Sequence, residues 1–201
     1  MNRPHSIKTT WLIWRARISI PALLARYDDR KVLSLVTAFH AGLAILLIGV
    51  FAWLTHLPLV FTALGPSAFI LFSAPLSPAA APRTVILSHA IGLALGWSVW
   101  NLSLLCCDGV INLQTDHLIV LSSATIALSF TALLLIHFSC SHPPACASSL
   151  VVALGLVTQW QEVSLMMLVI ICLTAQAWAL NRLAGLPVPI WSFRQLDERA
   201  T

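Results

Sequence analysis

The sequence predicts an all-α, polytopic membrane helix bundle with six crossings, two of them Gly/Pro-interrupted half-helix segments, arranged as an inverted 3+3 repeat. Three observations carry this expectation. Of the 201 residues, 59% are hydrophobic and only 9% charged, against about 25% charged in a soluble domain; mean hydropathy is +0.90. Stretches free of Asp, Glu, Lys and Arg recur at bilayer-spanning length, such as the 22-residue runs 33–54 and 84–105, where about 20 residues suffice. Finally, two Gly/Pro-broken segments stand at corresponding places between the uninterrupted runs. Strands alternating apolar and polar residues are absent, which argues against a β-barrel.

The elements follow in order. Residues 1–31 form a basic cytoplasmic or interfacial segment carrying Arg3, Lys8, Arg15, Arg17, Arg26, Arg30 and Lys31. Within it "IKTTWLIWRARISI" mixes apolar and basic residues, as a helix lying on the membrane surface does; a basic tail that only fixes orientation fits as well. No short apolar core with a small-residue cleavage site follows, so the first span is expected to direct insertion itself. Four uninterrupted spans are expected at 33–54, 84–105, 118–138 and 163–180. Between them lie 57–75, broken by Gly65-Pro66, and 139–157, broken by Pro143-Pro144.

Whether the broken segments cross is decided by charge. Cytoplasmic loops carry the excess of Lys and Arg. With six crossings and the N-terminus inside, all 11 basic residues are cytoplasmic, Arg83, Arg182, Arg194 and Arg199 included, while the outer loops hold His56, Asp108, Asp116 and Glu162. Without the two extra crossings Arg83 moves outside. The transmembrane domain is therefore expected over 32–183, with halves 33–105 and 118–180 and a cytoplasmic tail 184–201. Each half has three crossings, an odd number, so the halves enter from opposite sides. Pro66 and Pro144 are 78 residues apart, and the same shift overlays 84–105 on 162–183.

Proline is well tolerated at the start of a helix, where its missing N–H has no partner to lose. Gly65-Pro66 is accordingly expected to open a helix of about ten residues, about 15 Å or half a bilayer. Ser141-His142-Pro143-Pro144 is expected to open a second, running to about Val157, with Ser141 or His142 near its cap. Short interrupted segments at matching positions of two inverted halves point to a transport site, and irregular backbone at that depth must be buried in protein or line a wet cavity. Helix N-termini offer unpaired N–H groups and the positive end of the dipole, an anion site. The candidate binding residues are Gly65, Pro66, Ser67 and Ala68 of the first segment, and His142, Pro143, Pro144, Ala145, Cys146, Ser148 and Ser149 of the second. The expected donors are the amides of Ser67, Ala68, Phe69, Ala145, Cys146 and Ala147, with hydroxyls from Ser67, Ser148 and Ser149.

No Asp or Glu lies within any expected span, so carboxylate binding of Na⁺ or a divalent metal and a carboxylate proton relay are poorly supported. The intramembrane polar inventory is His40, His89, Asn101, His137, His142, Gln176 and Asn181. A histidine there either carries a proton and positive charge or sits neutral between helices; His40 and His89 are the relay candidates, together with Arg83, which either steers anions or fixes topology. The Gly/Pro breaks also fit plain kinks, and the small residues of "ACASS" and "GLALG" fit close helix packing. Cys106, Cys107, Cys140, Cys146 and Cys172 lack metal-ligand spacing and read as small apolar packing residues. No nucleophile–base pair, phosphate loop or metal motif is present, so neither an enzyme nor a cofactor or metal is expected, and the basic residues form no nucleic-acid patch.

"HPPACASSL", opening at His142-Pro143-Pro144, resembles the motif that names the HPP family of integral membrane proteins. Residues 64–96, "LGPSAFILFSAPLSPAAAPRTVILSHAIGLALG", resemble that family's G-x-S-A segment and the following block, carried here by Pro75, Ser77, Pro78, Pro82, Arg83, Val85 and His89. "NRLAGLPVPIW" is similar to its closing Asn and P-V-x-x-W elements. Pro66 stands where alanine is usual, and Cys146 and Ser148 replace Gly and Thr. The resemblance implies a compact multispan fold, often described as four-span. Plant members are associated with nitrite transport across the chloroplast envelope, so nitrite is the first-choice solute. The expected function is thus a transporter or channel for a small inorganic anion in a bacterial cytoplasmic membrane, contacting the lipid bilayer, with a homo-oligomer left open. The competing class is a non-transporting scaffold or assembly subunit whose small-residue surfaces bind partner helices.

Overall fold

A computed structural model describes residues 19–192; the surface-helix stretch before Ser19 and the basic residues Arg3, Lys8, Arg15, Arg17, Arg194 and Arg199 lie outside it. Among the described residues there are seven α-helices, one 3₁₀ turn and no strand. They are α1 (Ile20–Leu24), α2 (Asp29–Thr55), α3 (Leu64–Ser73), the 3₁₀ turn (Pro78–Ala80), α4 (Pro82–Cys106), α5 (His117–His137), α6 (Pro144–Ala153) and α7 (Trp160–Leu183). Helices α2, α4, α5 and α7 are long and apolar enough to cross a membrane, whereas α3 and α6 are ten-residue apolar helices.

Local chemistry fixes where each helix starts. Asp28 caps α2, its carboxylate accepting from the Lys31 amide at 3.0 Å, and Asp29 adds negative charge at the positive end of the dipole. Pro82 and Pro144 open α4 and α6, where proline forfeits no hydrogen bond. In α7 a Gln159–Glu162 capping box performs the same task. Pro66 is the third residue of α3, still within the first turn. Helix α6 ends at Ala153, four residues before the expected Val157, because Gly155 adopts φ +73° and returns its amide to Val152. The Trp100 ring packs on the space a side chain at Gly155 would need.

The helices pack in two sets with corresponding contacts. Helix α2 packs on α3, and α5 on α6; the third helix of each set reaches across, α4 onto α5 and α6, α7 onto α2 and α3, and α4 meets α7. The short helices begin at residues 64 and 144, eighty apart, and the third helices at 82 and 160, seventy-eight apart. One apolar core joins Ala44 and Ile48 of α2, Leu64 and Phe72 of α3, Val85 and Leu93 of α4, Val152 of α6 and Ile170 and Leu173 of α7. The outer faces are equally apolar: Leu35, Phe39, Trp53, Leu118, Leu133 and Ile136 are all exposed. A continuous apolar exterior of this kind needs lipid around it.

In lipid the hydrophobic effect does not drive helix against helix, so close packing and hydrogen bonds must. Gly92 and Gly96 of α4 supply the close packing. A Cβ at Gly92 would lie 2.5 Å from the Ala145 carbonyl oxygen, and one at Gly96 2.5 Å from that of Ser149. The backbone of α6 therefore rests directly on α4. Hydrogen bonds finish the buried end of α3, whose last carbonyls have no intrahelical partner. Asn181 Nδ2 of α7 donates to the Leu71 carbonyl at 2.9 Å, and Thr37 Oγ1 of α2 donates to that of Phe72 at 3.2 Å. The chain after α7 returns to the bundle, with Leu186 and Val188 packed on Ile20 and the Trp191 carbonyl accepting from the Arg83 amide at 2.8 Å.

Candidate functional site: a buried serine–histidine chain

The glycine contact between α4 and α6 brings one turn of α4 over the start of α6, and a polar cluster forms there. Ser67 (α3), His89 (α4), His142 (the loop before α6) and Ser148 (α6) all have zero exposure. His89 Nδ1 lies 2.8 Å from Ser148 Oγ and its Nε2 3.1 Å from Ser67 Oγ. His142 Nε2 lies 3.2 Å from the same Ser67 Oγ, and its Nδ1 2.8 Å from the Ala79 carbonyl in the 3₁₀ turn. The two imidazole rings are 5.2 Å apart, centroid to centroid.

The directions of these bonds are determined by what each atom can do. A carbonyl only accepts, so His142 Nδ1 carries the hydrogen, and with the ring neutral its Nε2 is the acceptor. Ser67 must then donate its one hydrogen to His142 and accept from His89 Nε2–H. His89 Nδ1 is left as an acceptor, and Ser148 donates to it. With both rings neutral the result is a single polarised run, Ser148 to His89 to Ser67 to His142 to Ala79.

The surrounding residues hold this run in place. Ser88, next to His89, donates to the Cys140 carbonyl and pins the loop that carries His142. Thr131 of α5, fully buried, lies 2.9 Å from Ser149 Oγ and fixes α6 from its other side. Among the described residues no Asp, Glu, Lys or Arg contributes to the cluster; Arg83 precedes His89 by six residues, about 9 Å along the helix.

The residues singled out from sequence divide. Ser67, His89, His142 and Ser148 converge; Ala68, Pro144, Ala145 and Ser149 are buried beside them, and Cys146 is half-buried. Gly65, Pro66, Pro143 and Phe69 are exposed on the outer face, so in α3 and in the turn before α6 the break residues shape the backbone and face away from the cluster. His142 does not cap α6: the N-cap is Pro143, without a side-chain bond. The amides of Ser67, Ala145 and Cys146 already bond to Ala63, His142 and Pro143 carbonyls, at 3.2, 3.0 and 3.0 Å. The hydroxyls and rings of the cluster are bonded too, but through side chains whose O–H groups can rotate to exchange partners.

His40 stands apart. Its ring packs 5.6 Å from that of Phe72, its Nδ1 is buried without a hydrogen-bond partner, and it borders a cavity of about 430 Å³ between α1, α2 and α7. Ser88, Thr131, Thr37 and the Ala79 carbonyl were not foreseen; a small hydroxyl in an apolar span gives no sequence sign of which helix it will face. Neither the curated proteins nor the solved structures contain a match to the chain. The model of the HPP transmembrane region matches residues 29–189, which takes in all of α2 to α7 and both histidines of the cluster. The chain belongs to the HPP family of membrane proteins.

Proposed function

We propose that this chain is a transporter or channel for a small inorganic anion, nitrite first, and that the solute passes through the Ser67–His89–His142–Ser148 cluster. The observation that carries this reading is the burial of four linked polar side chains, two of them histidines, drawn from both short helices, α4 and a loop, in a bundle whose other buried polar side chains are hydroxyls and one amide. Polar and ionisable groups at such depth are costly and mark solute or proton pathways. The donors proposed are the Ser67 and Ser148 hydroxyls, whose O–H groups can rotate from their present partners, in place of the backbone amides expected at first, three of which are held in backbone bonds. The association of plant family members with nitrite transport names the first solute to try. An anion transporter of this design does no covalent chemistry, and no catalytic role is proposed for the cluster.

The same proposal includes the topology. Six crossings in two inverted halves fit the corresponding contacts of α2–α4 and α5–α7, and the position of every basic residue fits a bacterial cytoplasmic membrane with both termini inside. Uptake of nitrite, nitrate and formate into proteoliposomes tests the reading. Saturable flux of at least one, above that of protein-free vesicles, is expected. No flux of any would refute transport and leave the scaffold reading.

A further inference from the structure

The transport reading leaves the charge of the solute unbalanced. Among the described residues none of fixed positive charge belongs to the cluster, and a bare anion taken out of water there is strongly disfavoured. We propose that His89 takes up one proton with each anion, so that the anion and the proton cross together and no net charge moves; this rests on the transport reading.

The hydrogen-bond directions select His89. In the neutral run the ring nitrogens able to accept a proton are His89 Nδ1, facing Ser148, and His142 Nε2, facing Ser67. A proton on His142 Nε2 would require three changes along the run: Ser67 turns to donate to His89 Nε2, the His89 hydrogen moves to Nδ1, and Ser148 becomes an acceptor. A proton on His89 Nδ1 requires one change only. Ser148 turns from donor to acceptor, and its O–H is released to point at an anion. The same event thus makes a positive charge and a free donor on one side of α6. His89 Nε2–H keeps its bond to Ser67, and His142 keeps its bond to Ala79.

The neighbours leave His89 as the place for that charge. Facing it are Ser67 from α3, Ser148 from α6 and the His142 ring from the loop, with rings 5.2 Å apart. Two like charges at that separation repel, so the pair holds one proton, not two. The other titratable groups on the elements packed around α4 stand elsewhere. The Cys140 and Cys146 thiols lie on the loop and on α6; His117 and His137 are at the ends of α5, Glu162 and Arg182 at the ends of α7, and the Cys172 thiol of α7 is exposed on the outside of the bundle. His40 of α2 packs on Phe72. The proton is drawn from water on the side where the anion enters and returns to water where it leaves, so charge and protons balance over the cycle.

The test uses the full chain in phosphatidylethanolamine–phosphatidylglycerol vesicles, with nitrite as probe, a pH dye inside, and protein-free vesicles to subtract leakage of nitrous acid. Potassium and valinomycin set the voltage. Protein-dependent nitrite flux is expected to be indifferent to voltage of either sign and to carry protons one for one. His89→Gln keeps a donor and an acceptor but cannot take the proton, and is expected to lose proton-driven accumulation. His142→Gln, which keeps the His89 site, is expected to retain it at a lower rate. Voltage-driven flux without proton movement in the wild type would overturn the proposal, as would His89→Gln with coupling intact. The wild-type voltage response decides the matter even where a variant fails to fold. Absence of all anion flux refutes instead the transport reading beneath it.

Discussion

The contact between α4 and α6 can be tested at the level of a single methyl group. Gly92→Ala places a Cβ 2.5 Å from the Ala145 oxygen, and Gly96→Ala places one 2.5 Å from the Ser149 oxygen. Ordinary contact begins near 3.4 Å, so α6 must retreat by about 0.9 Å. The obstructing atoms are backbone, which cannot swing aside. Overpacking of this kind costs about 1–3 kcal/mol, while alanine regains about 1 kcal/mol of helix propensity over glycine; the net loss is about 0–2 kcal/mol. The effect on the cluster is larger than the effect on stability. A 0.9 Å retreat stretches the His89–Ser148 contact from 2.8 Å to about 3.7 Å, beyond hydrogen-bonding range. Each variant is thus expected to fold, with a melting temperature in detergent near or modestly below wild type, and to lose most of its anion flux. Gly49→Ala in α2 is the matched control, since a Cβ there meets nothing within 4 Å. Wild-type flux in both Gly92→Ala and Gly96→Ala would refute the view that the glycine contact sets the cluster geometry.

Two further outcomes follow from other parts of the fold. Asn181→Ala leaves the buried Leu71 carbonyl without its side-chain donor, and should destabilise the protein by about 1–3 kcal/mol, read as a lower melting temperature and faster proteolysis of the α3 region. Cys106 and Cys107, at the end of α4 with Cys106 exposed, should react with a membrane-impermeant maleimide added from outside; labelling from the cytoplasmic side alone would overturn the six-crossing arrangement.

The long helices were legible because their signal is length: the runs 33–54, 84–105, 118–138 and 163–180 each became one helix of 21–27 residues. The short helices were legible because Pro66 and Pro144 limit where a helix can begin. What the breaks are for was less legible. Gly65 and Pro143 looked like ligands but are exposed, since a break residue satisfies its own backbone constraint wherever its face points. His142 was readable as a special residue, though its role as the partner of Ala79 and Ser67 depends on contacts 63 and 75 residues away in sequence. His89 and Ser148 are linked because Gly92 and Gly96 bring two backbones together, and local sequence pattern does not say which helix a glycine face will meet. Thr37 and Asn181 are a further case: the carbonyls they satisfy belong to a helix neither is part of.

That last arrangement has a bearing on how the protein is made. The end of α3 emerges from the ribosome early, yet its Leu71 carbonyl bonds to a side chain 110 residues later. Until α7 is synthesised, that carbonyl has no native side-chain donor and must bond to water or another group instead. The nascent α3 therefore completes its native hydrogen bonds only when the last helix arrives. Asn181 works as a completion signal, and a chain truncated before it lacks the contact that seals its own third element in place.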